Sequence, residues 1–190
     1  MAESLREGLL VDEAGAPLAE EDSGSIELLD GTIVAYHAIA PDNASALQRF
    51  HHRLSERSIY LRFFAAKPEL SDREAVYFTN LDKINRFALV AVDPECPEEI
   101  VGVVSFDREG TTERAEYAAE VADSWQGRGL GLALTRRLVE AALKRDVRTF
   151  TAIVLPQNTR MLHLLRDLGL PERLRHEDGN DYVEIDLSPS

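Results

Sequence analysis

A chain of 190 residues, 44% apolar and 29% charged, is long enough for one domain with a substantial core and too short for two of ordinary size. Its 21 basic and 34 acidic side chains leave a formal charge of −13, which argues against nucleic acid as a partner because phosphate contacts need cations. No apolar run approaches the roughly 18 residues of a membrane span and no secretory signal is evident, so we expect a cytoplasmic protein without a membrane partner. The single cysteine, Cys96, provides neither a disulfide nor a thiolate metal cluster, and we expect no metal.

The acidic excess is unevenly distributed along the chain. Residues 1–30 hold one basic and nine acidic side chains with little helical or strand period. We therefore expect residues 1–24 to be a mobile acidic segment, followed by one domain over residues 25–190. Residues 126–175 instead carry 10 basic and 4 acidic side chains, so this segment is the part of the sequence suited to a polyanion.

Hydrophobic periodicity predicts alternating groups of strands and helices. Asp30-Gly31 between two apolar runs is typical of a two-residue hairpin turn, and Ser71-x-x-Glu74 is typical of a helix start. Short turns between the three strands after residue 86 predict an antiparallel meander. In chain order the predicted elements are strands 26–29 and 32–37, helices 41–54, 55–63 and 71–81, strands 87–92, 100–106 and 114–121, helix 130–146, strand 150–155, helix 158–168 and strand 182–187.

A glycine-rich loop, Gln126-Gly127-Arg128-Gly129-Leu130-Gly131, stands between a predicted strand and a predicted helix. Consecutive backbone N–H groups and the helix dipole make such a junction a site for a phosphate group. The loop is not a P-loop, because no Lys-Ser or Lys-Thr occurs in the chain, and it is not a dinucleotide fingerprint, because Leu132 stands where Gly or Ala is needed. Antiparallel strands before the loop also argue against a Rossmann unit.

The pattern Gln-x-x-Gly-x-Gly in this loop resembles the GNAT superfamily of acetyl-CoA dependent N-acetyltransferases, and the order of elements follows that family over residues 26–187. A narrower likeness, to the catalytic domain of bacterial Pat-type protein lysine acetyltransferases, covers residues 54–64, 78–80 and 122–129. The resemblance implies a single α/β (α+β) domain. Its mixed sheet of about six to seven strands would be splayed between the family's strands four and five, with helices on both faces.

The resemblance also implies the two substrates. Acetyl-CoA would donate the acetyl group, and a primary amine, with a protein lysine favoured, would accept it. In the family the pantetheine arm pairs with the backbone of strand four, the pyrophosphate rests on the loop, and an asparagine bonds the arm. The residues of this chain that match those positions are Ala119, Glu120, Val121, Gly127, Arg128, Gly129, Leu130, Gly131, Leu132 and Asn158.

Glu116 matches the family's glutamate on strand four and is the candidate general base, because an amine with an ordinary pKa of about 10.4 arrives protonated. A backbone N–H near Val121 would stabilise the developing oxyanion. Strand alternation places Glu120 on the same face, where related sequences look apolar, so Glu120 is an alternative base. Leu165 falls where many members carry a tyrosine that protonates the departing thiolate, which leaves the proton source open.

Other interpretations of these residues and of the chain stand beside this one. Glu116 fits a solvated carboxylate on an open strand face, and Asn158 fits a plain helix cap. His51-His52, without further ligands at metal spacing, is predicted to be a surface pair, and Cys96 in its acidic turn to be inert. For the whole protein, the alternatives are acetylation of a small amine or amino acid, or a non-catalytic CoA-binding sensor or interaction domain.

Overall fold

A computed structural model describes residues 22–188 of the protein. The predicted mobile segment, 1–24, lies outside the described residues except for its last three positions. The elements in chain order are β1 (Gly24–Glu27), β2 (Ile33–Ala38), α1 (Ala44–Arg53), α2 (Glu56–Phe63), α3 (Asp72–Thr79), β3 (Arg86–Val92), β4 (Ile100–Arg108), β5 (Arg114–Val121), α4 (Leu130–Leu143), β6 (Thr149–Val154), α5 (Thr159–Asp167), β7 (Glu172–Glu177) and β8 (Asn180–Asp186).

The strands form one sheet in the order β1-β2-β3-β4-β5-β6-β8-β7. Neighbouring strands are antiparallel except β5 and β6, which are parallel. The pairing of β5 with β6 stops after three residue pairs, the last joining Glu116 to Thr151, and the ends of the two strands diverge. The predicted mixed sheet, splayed between the strands at 114–121 and 150–155, is therefore confirmed.

The sheet has eight strands, one more than the sequence predicted, because β7 was missed. All six residues of β7 are exposed, so the strand shows none of the apolar alternation that marks the others. It pairs only with β8, at the edge of the sheet, where charged side chains are tolerated on both faces. Periodicity alone does not identify a strand of this kind.

The first hairpin is present but its turn differs from the predicted one. Leu28 N donates to Thr32 O at 2.8 Å, so the pairing extends beyond the strand ends and leaves a loop of three residues, 29–31. Gly31 closes the loop with a φ of +81° and donates its N–H to Leu28 O at 3.0 Å. A glycine in the left-handed region at this position is typical of three-residue hairpins, so the predicted two-residue turn was wrong.

Helices cover both faces of the sheet, as predicted. Alternate residues of β3 enter two different cores: Phe87 and Leu89 pack under α4 and α5, whereas Ala88 and Val90 pack under α1, α2 and α3. The capping box that opens α3 is formed, because Glu74 N donates to Ser71 Oγ at 3.3 Å and Ser71 N donates to Glu74 Oε2 at 3.0 Å. Within residues 22–188 no helix is long and apolar enough to cross a membrane.

A buried ion pair ties the beginning of the described chain to α4 and β3. Arg145 Nη2 lies 2.6 Å from Asp22 Oδ2, and both side chains are at most 10% exposed. The same guanidinium donates to Lys83 O at 2.6 Å and to Ala141 O at 3.0 Å, and it lies 3.9 Å from the centre of the Phe87 ring. Removal of the Asp22 charge would leave a buried cation without its counter-ion.

Asp22→Asn is expected to lower the free energy of unfolding by about 2 kcal/mol, measured by urea denaturation at pH 7. The matched control is Asp146→Asn, whose carboxylate is 81% exposed and pairs with Arg148 at 3.3 Å. An exposed pair of this kind contributes little, so the control should stay within about 0.5 kcal/mol of the wild type. Equal effects of the two substitutions would contradict the structural role given to Asp22.

Candidate active site

The diverging ends of β5 and β6 open a cleft of ≈ 680 Å³. On its β5 side, Ala122 N donates to Val101 O of β4 at 2.9 Å. Successive residues of a strand direct their backbone groups to opposite edges, so Ala119 and Val121, beyond the end of the pairing with β6, direct theirs away from β4 and into the cleft. The cleft is therefore bordered by an unpaired sheet edge that offers hydrogen bonds to a ligand.

The glycine-rich loop closes one end of the cleft. Gly127 and Gly129 have φ values of +75° and +86°, the left-handed region that glycine adopts without strain. A Cβ on Gly131 would lie 2.9 Å from Leu164 Cδ1, the end of a flexible side chain, so a larger residue in the first turn of α4 would require Leu164 of α5 to shift. The first N–H groups of that helix have no acceptor within it, and with the loop they are the donors available to the anion cradle that the sequence predicts.

Arg128 is the exception among the predicted loop residues. Its guanidinium pairs with Asp30 at 2.8 Å, donates to Thr32 Oγ1 at 2.8 Å and lies 4.2 Å from the centre of the Trp125 ring. These contacts turn the side chain away from the cleft lining and join the loop to the β1–β2 hairpin. Only the backbone of Arg128 is left for a ligand, which the sequence pattern does not reveal.

Asp123 fixes the other wall of the cleft, although it was not among the predicted site residues. Its carboxylate accepts hydrogen bonds from Ser55 N at 2.9 Å, Ser55 Oγ at 2.7 Å and Ser58 Oγ at 2.9 Å, which attaches the start of α2 to the loop. Partial burial raises the pKa of Asp123, but these hydrogen bonds outweigh it and hold the pKa below its usual range. Gln126 adds a bond from Nε2 to Val121 O at 2.9 Å.

Asn158 lines the cleft at the start of α5, whereas Leu165 of the same helix lies in the core. Asn158 Oδ1 accepts from Met161 N at 3.2 Å and so caps the helix, while the residue also lines the cleft. The helix-cap interpretation is confirmed, and the position remains compatible with a ligand contact. Leu165 is 1% exposed and belongs to the core under α4, so it presents no group to the cleft.

A second cavity of ≈ 210 Å³ lies between the sheet and helices α1 to α3. Its walls are mostly apolar and aromatic, with contributions from Phe63, Phe78, Leu81 and Val103. It meets the cleft along β5, because both are lined by the same group of residues: Arg62, Glu116, Ala118, Ala119 and Glu120. The alternate residues Ala115 and Tyr117 belong to the core under α4, which confirms the predicted placement of Glu116, Ala118 and Glu120 on one face.

The two carboxyl groups on this face have different surroundings. Glu116 is exposed and lies in register with Asp107 of β4 and Thr151 of β6. Glu120 Oε1 is fully buried and has no hydrogen-bond partner. Burial raises the pKa of Glu120, an effect that the nearby charges of Arg62 and His51 reduce but do not cancel. Alternation along the strand identified both residues but not this difference.

The predicted surface histidine pair was wrong for one member. His51 is 3% exposed, and its Nε2 donates to Lys67 O at 2.7 Å, whereas His52 is exposed. His51 follows Leu47 by one helical turn and therefore lies on the apolar stripe of α1. In the described part of the chain, no three His, Cys, Asp or Glu side chains are grouped so as to hold a metal.

Comparisons with known proteins place this fold among acyltransferases. The acetyltransferase (GNAT) family matches residues 57–170, more than half of the chain. The GNAT domain of S. lividans PAT is 33% identical, with a TM-score of 0.80 over 86% of this chain and 96% of that one. The protein is thus an acyltransferase by class. It belongs to the acetyltransferase (GNAT) family, which confirms the resemblance found in the sequence.

Two more distant structures share the fold. The protein yncA from Salmonella typhimurium, solved with its cofactor acetyl-CoA, is 15% identical with a TM-score of 0.65, over 83% of this chain and 95% of that one. A cAMP-binding acyltransferase from Mycobacterium smegmatis is 23% identical with a TM-score of 0.63. The alignment covers 88% of this chain but 48% of that protein, so this chain spans about half of it.

Asp123→Asn tests whether the carboxylate holds α2 against the loop. An amide nitrogen would face a donor in place of one carboxylate oxygen, so we expect a loss of about 1 kcal/mol in the free energy of unfolding at pH 7. Because folding lowers this pKa, the contribution is complete above the ordinary value of about 3.9 and disappears as the pH falls through the folded value. Urea denaturation at several pH values should show the two proteins converging below about pH 4. A difference that does not depend on pH would contradict the assignment.

Proposed function

We propose that the protein transfers the acetyl group of acetyl-CoA directly to a primary amine, with a protein lysine side chain as the acceptor and Glu116 as the general base. The observation that carries this proposal is the unpaired edge of β5, which runs between the glycine loop and Glu116. The edge of β5 thus offers backbone hydrogen bonds to an extended arm. The anion cradle follows one end of this edge, and the Glu116 carboxylate lies at the other.

The residues of the cleft fit acetyl-CoA, which supplies an activated acetyl thioester when bound. The backbone groups of Ala119 and Val121 would bond the amides of the arm, and Asn158 borders its path. Glu120 differs from these neighbours, because its backbone is directed toward Val103 of β4 and its side chain alone faces the cavities.

The anion cradle would hold the pyrophosphate through backbone donors. The residues assigned to it are Gly127, Arg128, Gly129, Leu130, Gly131 and Leu132, and the basic excess of residues 126–175 complements the charge of the ligand. A Cβ on Gly127 would have no atom within 4 Å, so the backbone at that position is open to close approach by an anion. The first turn of α4 adds its free N–H groups.

The chemistry assigned to the chain is removal of a proton from the amine. Glu116 lies where the cleft and the smaller cavity meet, so its carboxylate is accessible to an amine that enters from the α1–α3 side. The aromatic and apolar walls of that cavity suit the aliphatic stem of a lysine. The N–H of Val121, directed into the cleft, is the donor that we assign to the thioester oxygen.

The likeness to Pat-type enzymes and the 33% identity to the GNAT domain of S. lividans PAT support a protein lysine as the acceptor. A small amine is the second candidate, because the acceptor-side cavity of ≈ 210 Å³ is smaller than the roughly 300 Å³ at which pockets for drug-sized ligands begin. The two acceptor classes are distinguished by kcat/KM for acetyl transfer. Lysine-containing peptides and folded proteins are compared with free alkylamines and amino acids. Turnover confined to the free amines would contradict the lysine assignment.

Glu116→Gln is expected to lower kcat by about 100-fold or more, the usual contribution of a general base, while the Kd for CoA stays unchanged. The loss of kcat should persist across the pH range in which most of the acceptor amine is protonated. Glu113→Gln is the matched control, because Glu113 is exposed and lies just before β5, outside the lining of both cavities. Equal turnover of the Glu116 variant and the control would remove Glu116 from the mechanism.

Gly127→Ala is expected to weaken CoA binding about 10-fold, measured by calorimetry, because a Cβ would occupy the space where the loop meets the anion. Gly110→Ala is the matched control: it has a φ of +63° and open space around its Cα, in a hairpin away from the cleft. Both substitutions carry a similar backbone strain, so their unfolding free energies should fall alike. A similar loss of CoA affinity in the control would show that the effect is global and contradict the cradle.

A further inference from the structure

Acetyl transfer leaves the sulfur of CoA as a basic thiolate, which a proton donor in the cleft would neutralise. The inference below rests on the proposed function, since it concerns the second half of that reaction. Among the described residues, the titratable side chains that line the cleft are Arg57, Arg62, Glu116, Tyr117, Glu120, Asp123, Arg160, His163 and Asp167.

Most of these groups are poor donors on structural grounds. The Tyr117 hydroxyl lies in the core, 2.7 Å from Thr135 Oγ1, and burial raises its pKa far above neutrality. Asp123 accepts three hydrogen bonds that hold its pKa low, so it carries no proton at neutral pH. Arginine does not release a proton in proteins. Glu116 and Asp167 are exposed carboxyls, which leaves Glu120 and the exposed His163 as the groups to compare.

Glu120 has surroundings that favour a neutral carboxyl. Its Oε1 is fully buried without a hydrogen-bond partner, beside the apolar walls of the smaller cavity. The charged or titratable groups that act on its charge are Arg62 from α2 and His51 from α1, which line the same cavity. Burial raises the pKa of Glu120, the shift expected of an unpaired carboxyl in such a site.

Glu120 also borders both cavities, four residues along β5 from Glu116. At about 3.3 Å per residue the two Cα positions are roughly 13 Å apart, so they flank the middle of the exposed strand edge. Glu116 is exposed, whereas Glu120 is half-buried and its Oε1 is fully buried. Pairs of carboxyl groups whose environments favour opposite protonation states are a recurring arrangement for a base and an acid.

We propose that Glu120 is a catalytic acid that donates its proton to the departing sulfur of CoA. The ammonium group first gives one proton to Glu116, which passes it to water. The nitrogen of the neutral amine then bonds to the acetyl carbon, and the C–S bond breaks with its electron pair on sulfur. Glu116 takes one proton from the nitrogen, and Glu120 gives one proton to the sulfur, which produces the amide and free CoA thiol. Glu116 then releases a proton to water and Glu120 regains one from water, so protons and charge balance.

The protonation of Glu120 can be measured without turnover. The infrared spectrum of the wild type at pH 7 should contain the C=O stretch of a buried neutral carboxyl, which is identified by subtracting the spectrum of each variant. We expect Glu120→Gln to abolish this band and Glu116→Gln to retain it. A wild type with no such band, or loss of the band in the Glu116 variant instead, would overturn the proposal.

The donor role is tested by changing the leaving group. Glu120→Gln should lower kcat with acetyl-CoA by about 100-fold, as for loss of a general acid. With Se-acetyl selenocoenzyme A the loss should shrink to within about threefold, because a selenol is a much stronger acid than a thiol and leaves without a proton. Glu116→Gln should lower kcat by the same factor with both acetyl donors, because Glu116 acts on the amine and not on the leaving group.

The outcomes separate this inference from the proposed function. If the wild type acetylates no amine, the proposed function fails, while the infrared band still reports the proton on Glu120. If the wild type is active but Glu120→Gln lowers kcat by the same factor with acetyl-CoA and with the selenium analogue, Glu120 does not protonate the leaving group and the acid role is overturned. If His163→Gln, and not Glu120→Gln, lowers kcat with acetyl-CoA much more than with the selenium analogue, His163 is the proton donor and the proposal is overturned.

Discussion

The early end of the pairing between β5 and β6 is the constraint on which the rest of the site depends. After Glu116 and Thr151 the strands separate, and the inward edge of β5 has no neighbouring strand to bond. Unpaired backbone groups in a folded protein need a partner, whether solvent, a side chain or a ligand. Gln126 satisfies one of them at Val121 O, and the others border the cleft. The fold thus maintains a strand-shaped space that an extended, amide-containing molecule can fill.

Several contacts keep that space open. Gly131 brings the start of α4 into close contact with the end of the Leu164 side chain of α5. Asp123 holds the start of α2 to the loop, and Arg128 holds the loop to the first hairpin. These contacts come from three separate parts of the chain, so distant segments together fix the walls of the cleft. The cleft is consequently a property of the whole domain.

The alternation of side chains along β5 gives its two faces different roles, one in the core and one in the site. Ala115 and Tyr117 point into the core under α4, where they support the strand. Glu116 and Glu120 point to the opposite face, where the sheet meets α1, α2 and α3. The backbone edge between these faces is left for the ligand. A single strand therefore provides structural support, ligand bonding and titratable groups without competition among them.

Local signals in the sequence were sufficient for most of the fold and for the outline of the site. The glycine loop and the Ser71–Glu74 capping box act over a few neighbouring residues, and both formed as predicted. The errors arose where packing between distant segments decides the outcome. Burial of His51 depends on the segment around Lys67.

Long-range contacts also explain what the sequence left undefined in the site. Arg128 is drawn away from the cleft by Asp30, almost a hundred positions earlier in the chain. The burial that distinguishes Glu120 from Glu116 comes from three helices that stand well before β5 in the chain. Alternation identifies the face on which a side chain lies, but not how deeply other elements cover it.

A crystal structure of the protein with CoA bound tests the central claim most directly. The account predicts that the pantetheine amides bond to the backbone of Ala119 and Val121, that the pyrophosphate lies on the loop at Gly127–Leu132, and that the sulfur lies between Glu116 and Glu120. A CoA molecule bound elsewhere, or one whose sulfur is out of reach of both carboxyl groups, would contradict it.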